Sequence, residues 1–92
     1  MNLYKVSQDV NNDYDTYSDF VIACETEEDA RNTNPGGYHK WRDNTWFFQY
    51  ADGTENPDTD YSWCLPKDTK VELIGKAAAG IKGIICTSFH AG

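Results

Sequence analysis

Apolar and polar residues alternate with a period of two in NLYKVSQ (residues 2–8), where Tyr4 and Val6 share one face and Leu3 and Lys5 the other. That spacing predicts a β-strand. A polar connector runs from Asp9 to Asp15, and a second strand is expected over Ser18 to Cys24. Here Phe20, Ile22 and Cys24 fall on one face and Val21 and Ala23 on the other, so both faces are apolar and the strand should be central in its sheet. TEEDARN (26–32) breaks the period. Thr26 can cap a helix, the acids at 27–29 suit the positive end of its dipole, and Asn34-Pro35-Gly36-Gly37 stops it. Asp29 stands where a capping box has Glu or Gln. So short a helix persists only by packing Ala30 and its neighbours on a sheet.

Residues 38–66 contain one aliphatic side chain larger than alanine, Leu65, among eight aromatics: Tyr38, Trp41, Trp46, Phe47, Phe48, Tyr50, Tyr61 and Trp63. TWFFQY (45–50) predicts a strand, Ala51-Asp52-Gly53-Thr54 a turn, and 52–60 an acidic loop. KVELIG (70–75) and GIICTSF (83–89) predict two more strands, joined by the small-residue connection AAAGIKG. The order β, β, short α, aromatic β segment, β, β predicts an α+β fold with a single domain over residues 1–92. One mostly antiparallel sheet would carry the helix on one face, because several connections are too short for crossovers.

Composition changes this picture in one respect. Leu, Ile, Val and Phe together make sixteen of 92 residues, which with a net charge of −7 would ordinarily indicate disorder. Thirteen aromatic residues argue against it, since each buries roughly 150–250 Å² when packed. The expectation is a folded domain with an aromatic-rich core, to which Phe20, Phe47 and at least one Trp belong.

Charge and cysteine content exclude some functions. Fifteen acids outnumber eight scattered bases, which does not suit a phosphate-binding surface, so no nucleic-acid partner is expected. MNLYKVSQDV lacks an apolar leader, and no stretch approaches the roughly 20 apolar residues of a membrane span. Three cysteines, an odd number, point to reduced thiols and a cytoplasmic setting, with Cys24 and Cys86 as small buried side chains.

Most chemical motifs fail on spacing. Asp9-x-Asn11-x-Asp13 begins like a calcium loop, but Tyr14 occupies the glycine position and Phe20 that of the bidentate Glu. Pro57 and Trp63 spoil the second such loop, from Asp52. Cys24, His39, Cys64, Cys86 and His90 follow no zinc-site spacing, and no cofactor or metal is expected. Nucleotide-binding glycine motifs and the GxSxG nucleophile are absent. The chain is therefore read as a non-enzyme, and a Cys64-dependent hydrolase or transferase with His39 or His90 is the weakest alternative.

What remains is a set of aromatics beside fixed amides and carboxylates: Asn12, Tyr14, Asp15 and Tyr17 before the second strand, with Trp41, Trp46, Tyr61 and Trp63 in the aromatic segment. Such residues line sites for polar small molecules or anchor protein interfaces. They also serve as core where aliphatics are scarce. NNDYDTY is first a connector, because Asn and Asp tolerate the left-handed turns needed there.

The string LYKVSQ-x-x-NN-x-YDTY-x-x-x-V-x-A-x-E-x-E-x-x-AR, with G-x-IC-x-SF-x-AG at the end, resembles a family of small proteins of bacteriophage and prophage genomes. The matching stretches are Leu3 to Arg31, Trp63 with VELIG, and Gly83 to Gly92. The resemblance carries no site residues. It implies a phage accessory protein made in a bacterial cytoplasm. The expectation is a binding protein that engages or inhibits a host protein, its acids Asp13, Asp15, Asp52, Glu55, Asp58 and Asp60 facing a basic surface and Trp41, Tyr61 and Trp63 as its anchors. The alternative is a binder of a nucleotide-like small molecule, stacked by Tyr14, Tyr17, Trp46 and Trp63, with Asn12 and Asp15 holding its polar groups. Oligomeric state is left open.

Overall fold

Alternation is reproduced where it was strongest. In the computed structural model, which describes residues 1–10, 16–58 and 63–90 (the last two by backbone only), β1 spans Asn2–Ser7 with Tyr4 and Val6 buried. β2 spans Thr16–Cys24 and pairs antiparallel with β1, setting Tyr4 opposite Ile22 and Val6 opposite Phe20. β6 (Lys70–Lys76) lies on the other side of β1 and β7 (Gly83–His90) on the other side of β2, giving a four-stranded antiparallel sheet ordered β6-β1-β2-β7. The doubly apolar strand β2 is central, as its pattern requires.

α1 (Glu27–Arg31) begins where its cap dictates: the Thr26 side chain accepts a hydrogen bond from the Asp29 N–H at 3.1 Å. Arg31 meets Glu27 one turn away at 3.3 Å. Ala30 is the helix residue that reaches the core, and it packs with Tyr4, Val6, Phe20 and Ile22 on one face of the sheet.

The aromatic segment departs from the expectation of one sheet. It forms its own three-stranded antiparallel sheet from β3 (His39–Arg42), β4 (Thr45–Gln49) and β5 (Glu55–Pro57), ordered β3-β4-β5. The fold class is α+β with two antiparallel sheets and one short helix. β5 lies inside the stretch expected to be an acidic loop. No helix is long and apolar enough to cross a membrane among the described residues.

Two tryptophans join the sheets. Trp46 on β4 is buried in the same cluster as Phe20 and Val6, and its indole N–H donates to the Cys64 carbonyl at 2.8 Å. Trp63 meets Phe20 edge-to-face, 5.3 Å between ring centroids. Phe47 is not core. It alternates with Trp46 along β4, so when Trp46 enters the core Phe47 must point the other way, and it is only half-buried. The cysteines are likewise redistributed: Cys64 is buried, Cys24 half-buried and Cys86 exposed. Cys86 is exposed because it lies on an edge strand opposite Val21, on the sheet face that the helix and Trp46 do not cover.

Candidate functional site

The small sheet is built on its turns. β3 and β4 are joined by Asp43 and Asn44, both in the left-handed region with φ of 52° and 59°. Two consecutive such residues make the tight hairpin turn whose twist matches the strands. After β4, the Asp52 carboxylate accepts from the Thr54 hydroxyl at 2.7 Å and its N–H at 2.9 Å, while Gly53 takes φ of 91°. The Thr54 hydroxyl and then its amide hold the Asp52 carboxyl below its ordinary value.

Register then sorts the side chains. Trp41 faces Trp46 and His39 faces Phe48, so these four share one side of the sheet. Its tryptophan end enters the core. Its other end is an aromatic cluster: Phe48 contacts Tyr50 at 4.9 Å, His39 at 5.3 Å and Tyr38 at 6.2 Å between centroids. Tyr38 and Tyr50 are 68% and 45% exposed. Buried beneath them, His39 Nε2 lies 2.6 Å from the Asp58 carboxylate. The imidazole also sits close to Gly36, where a Cβ would come within 3.2 Å of His39 Nδ1 and Cε1, so a side chain there would have to push the ring aside by a few tenths of an ångström. His39 Nδ1 is buried without a hydrogen-bond partner among the described residues.

The opposite side of the sheet is a ladder of charges. Arg42 on β3 pairs with Glu55 on β5 at 2.9 Å, with Lys40 at 3.8 Å from the same carboxylate. The Arg42 guanidinium lies 4.5 Å above the Phe47 ring. Glu55 and Asp58, two of the acids expected to face a partner, are thus engaged within the chain.

The candidate residues from the sequence are distributed unevenly. Asn12, Tyr14, Asp15 and Tyr61 lie outside the described residues, as do Asp13 and Asp60. Tyr17 is half-buried and packs against the core, with its backbone carbonyl accepting from the Gln8 side chain at 2.8 Å. Trp41 is half-buried and edge-on to Trp46 at 5.2 Å. Trp46 and Trp63 are each 1% exposed. The structure therefore gathers Tyr17 and the three tryptophans around the core, and places the exposed aromatic face at Tyr38, Phe48 and Tyr50. Sequence reading named those three aromatics but not as a group. For Phe48 and Tyr50 the signal was the alternation Trp46, Phe48, Tyr50 along β4 and just beyond it, which does not reach Tyr38.

Burial, and secondarily the Asp68 carboxylate, pushes the Cys64 thiol up to about 12. A thiol so protonated is a poor nucleophile. No group of three metal-ligating side chains occurs among the described residues. An open cleft of about 380 Å³ lies at the end of β2, lined by Ile22, Cys24, Asp29 and Lys82 among others, and shares no residue with the aromatic face.

No protein-family model matches the chain, and none of the curated proteins or solved structures is significantly similar to it.

Proposed function

We propose that this chain is a phage-type accessory protein that acts in the cytoplasm of a bacterial host by binding a host protein, with Tyr38, Phe48 and Tyr50 as its contact face. The observation that carries the reading is the exposure of Tyr38 and Tyr50 around Phe48 at the open end of a hairpin whose Trp46 is anchored in the core. Tyrosines offer large, stiff, amphipathic contact area and are enriched among the residues that dominate interface energetics. The net charge of −7 favours a basic partner, and Asp52 is exposed two residues beyond Tyr50. A base-stacking pocket is less well supported, because Trp46 and Trp63 present almost no ring surface to solvent.

The test compares tagged wild type with Tyr38→Ala/Tyr50→Ala, each recovered from host lysate and weighed by native mass spectrometry. The expected result is a protein captured by wild type and lost from the double variant, whose melting curve stays cooperative. A bare mass increment of small-molecule size would instead favour ligand binding, and equal capture by both proteins would remove the aromatic face from the account.

A further inference from the structure

α1 covers only part of the sheet it packs on. Its five residues make a helix about 7.5 Å long at 1.5 Å per residue, and four strands about 4.8 Å apart are wider than that. The helix packs on β1, β2 and β6 and leaves the start of β7 open, so Ile84, paired with Ile22, is exposed. The cleft at the end of β2 lies between the two, bounded by Asp29 of α1 and by Lys82 and Gly83 where β7 begins. Its volume of about 380 Å³ falls among small-molecule sites, which run from roughly 300 to 1,000 Å³. The lining is apolar at Ile22, Ala23 and Gly83, and three exposed charged side chains, Glu25, Asp29 and Lys82, border it. None of the three makes an ion pair among the described residues, whereas Arg31 pairs with Glu27, Arg42 with Glu55 and Lys70 with Glu72. Burial, and then the Asp29 carboxylate, push the Cys24 thiol up, and its Sγ donates to the Thr26 carbonyl at 3.3 Å. That thiol lines the cleft as a neutral group, not as a nucleophile.

We propose that this cleft binds a small zwitterionic molecule with an apolar body, of the class of the apolar and aromatic α-amino acids, its ammonium group towards Glu25 and Asp29 and its carboxylate towards Lys82. Charge complementarity selects the class. A simple anion would meet two carboxylates, and a simple cation would set its charge against Lys82. A zwitterion gives each of the three a counter-charge, while its side chain takes the apolar lining out of water. Because the charged groups are exposed, each such contact contributes little and binding is weak. The cleft shares no residue with Tyr38, Phe48 and Tyr50, and the proposal does not depend on the partner-binding reading.

Amide chemical shifts of the untagged, ¹⁵N-labelled chain, followed during titration with three probes, test it. The probes are L-phenylalanine, phenethylamine, which lacks the carboxylate, and 3-phenylpropionate, which lacks the ammonium group. L-phenylalanine should bind tightest and 3-phenylpropionate weakest, with saturable shifts at Ala23, Cys24, Asp29, Lys82 and Gly83. Lys82→Ala should weaken L-phenylalanine about fivefold, the upper end for an exposed ion pair, and leave phenethylamine unchanged. The three probes on the unaltered chain decide the matter even if that variant folds poorly. A titration without saturable shifts at these residues, up to the solubility limit of the amino acid, overturns the proposal. So does 3-phenylpropionate binding as tightly as L-phenylalanine, which would mean that the carboxylates of Glu25 and Asp29 select nothing.

Discussion

Trp46 and Trp63 are equally buried, yet their ring nitrogens differ. Trp46 donates to the Cys64 carbonyl, whereas Trp63 Nε1 is buried without a partner among the described residues. Replacing Trp46 by Phe removes a hydrogen bond and strands a buried carbonyl, a loss of about 1–3 kcal/mol beyond the lost packing. Trp63→Phe removes a donor that no described residue accepts, so urea denaturation should find it the less damaging of the two by about that margin. The thiols make a second contrast. Cys86 is exposed and Cys64 is held protonated by burial. Iodoacetamide at neutral pH should therefore label Cys86 first and reach Cys64 only when the protein unfolds. Because the Cys64 value is raised in the fold, its contribution to stability is complete below the ordinary thiol value of 9.0 and is lost as pH rises towards about 12. Neither contrast could be read from the sequence. Which neighbour of a buried ring accepts its proton, and which of three cysteines lies on an outer edge, depends on how distant segments pack.

At the scale of elements, legibility followed pattern strength. β1, β2, β6 and β7 have enough apolar residues to show alternation, and α1 has a cap, an acidic first turn and a Pro-Gly-Gly stop within a dozen residues. β3 and β5 have none of these. HKWR and ENP are four and three residues long without an aliphatic side chain, and they are strands only because β4 offers them a ladder. Their stability is accordingly tied to their turns. Asn44 adopts φ of 59°, where glycine is unstrained and alanine is not. Thermal or urea unfolding should show Asn44→Ala destabilised by about 1 kcal/mol and Asn44→Gly unchanged or slightly more stable.

For the molecule as a whole, composition correctly required an aromatic core, and the two tryptophans that join the sheets supply it. What composition could not show was that the aromatic segment forms a sheet of its own. That sheet spends Trp46 on the core and leaves Tyr38 and Tyr50 outside. The candidate set from the sequence leaned on tryptophan, the largest ring, and tryptophan is the residue this small core most needs. Tyr14 and Tyr17, just before and at the start of β2, remain the competing contact pair. Once a partner has been isolated, calorimetric titration of wild type, Tyr38→Ala/Tyr50→Ala and Tyr14→Ala/Tyr17→Ala against it tests the central claim most directly. The aromatic face predicts that the Tyr38/Tyr50 variant binds at least about tenfold more weakly, the loss of about 1.4 kcal/mol or more expected of interface anchors, while the Tyr14/Tyr17 variant, if folded, binds nearly as wild type. Full affinity in the first variant, with the loss confined to the second, would contradict it and return the contact to the connector before β2.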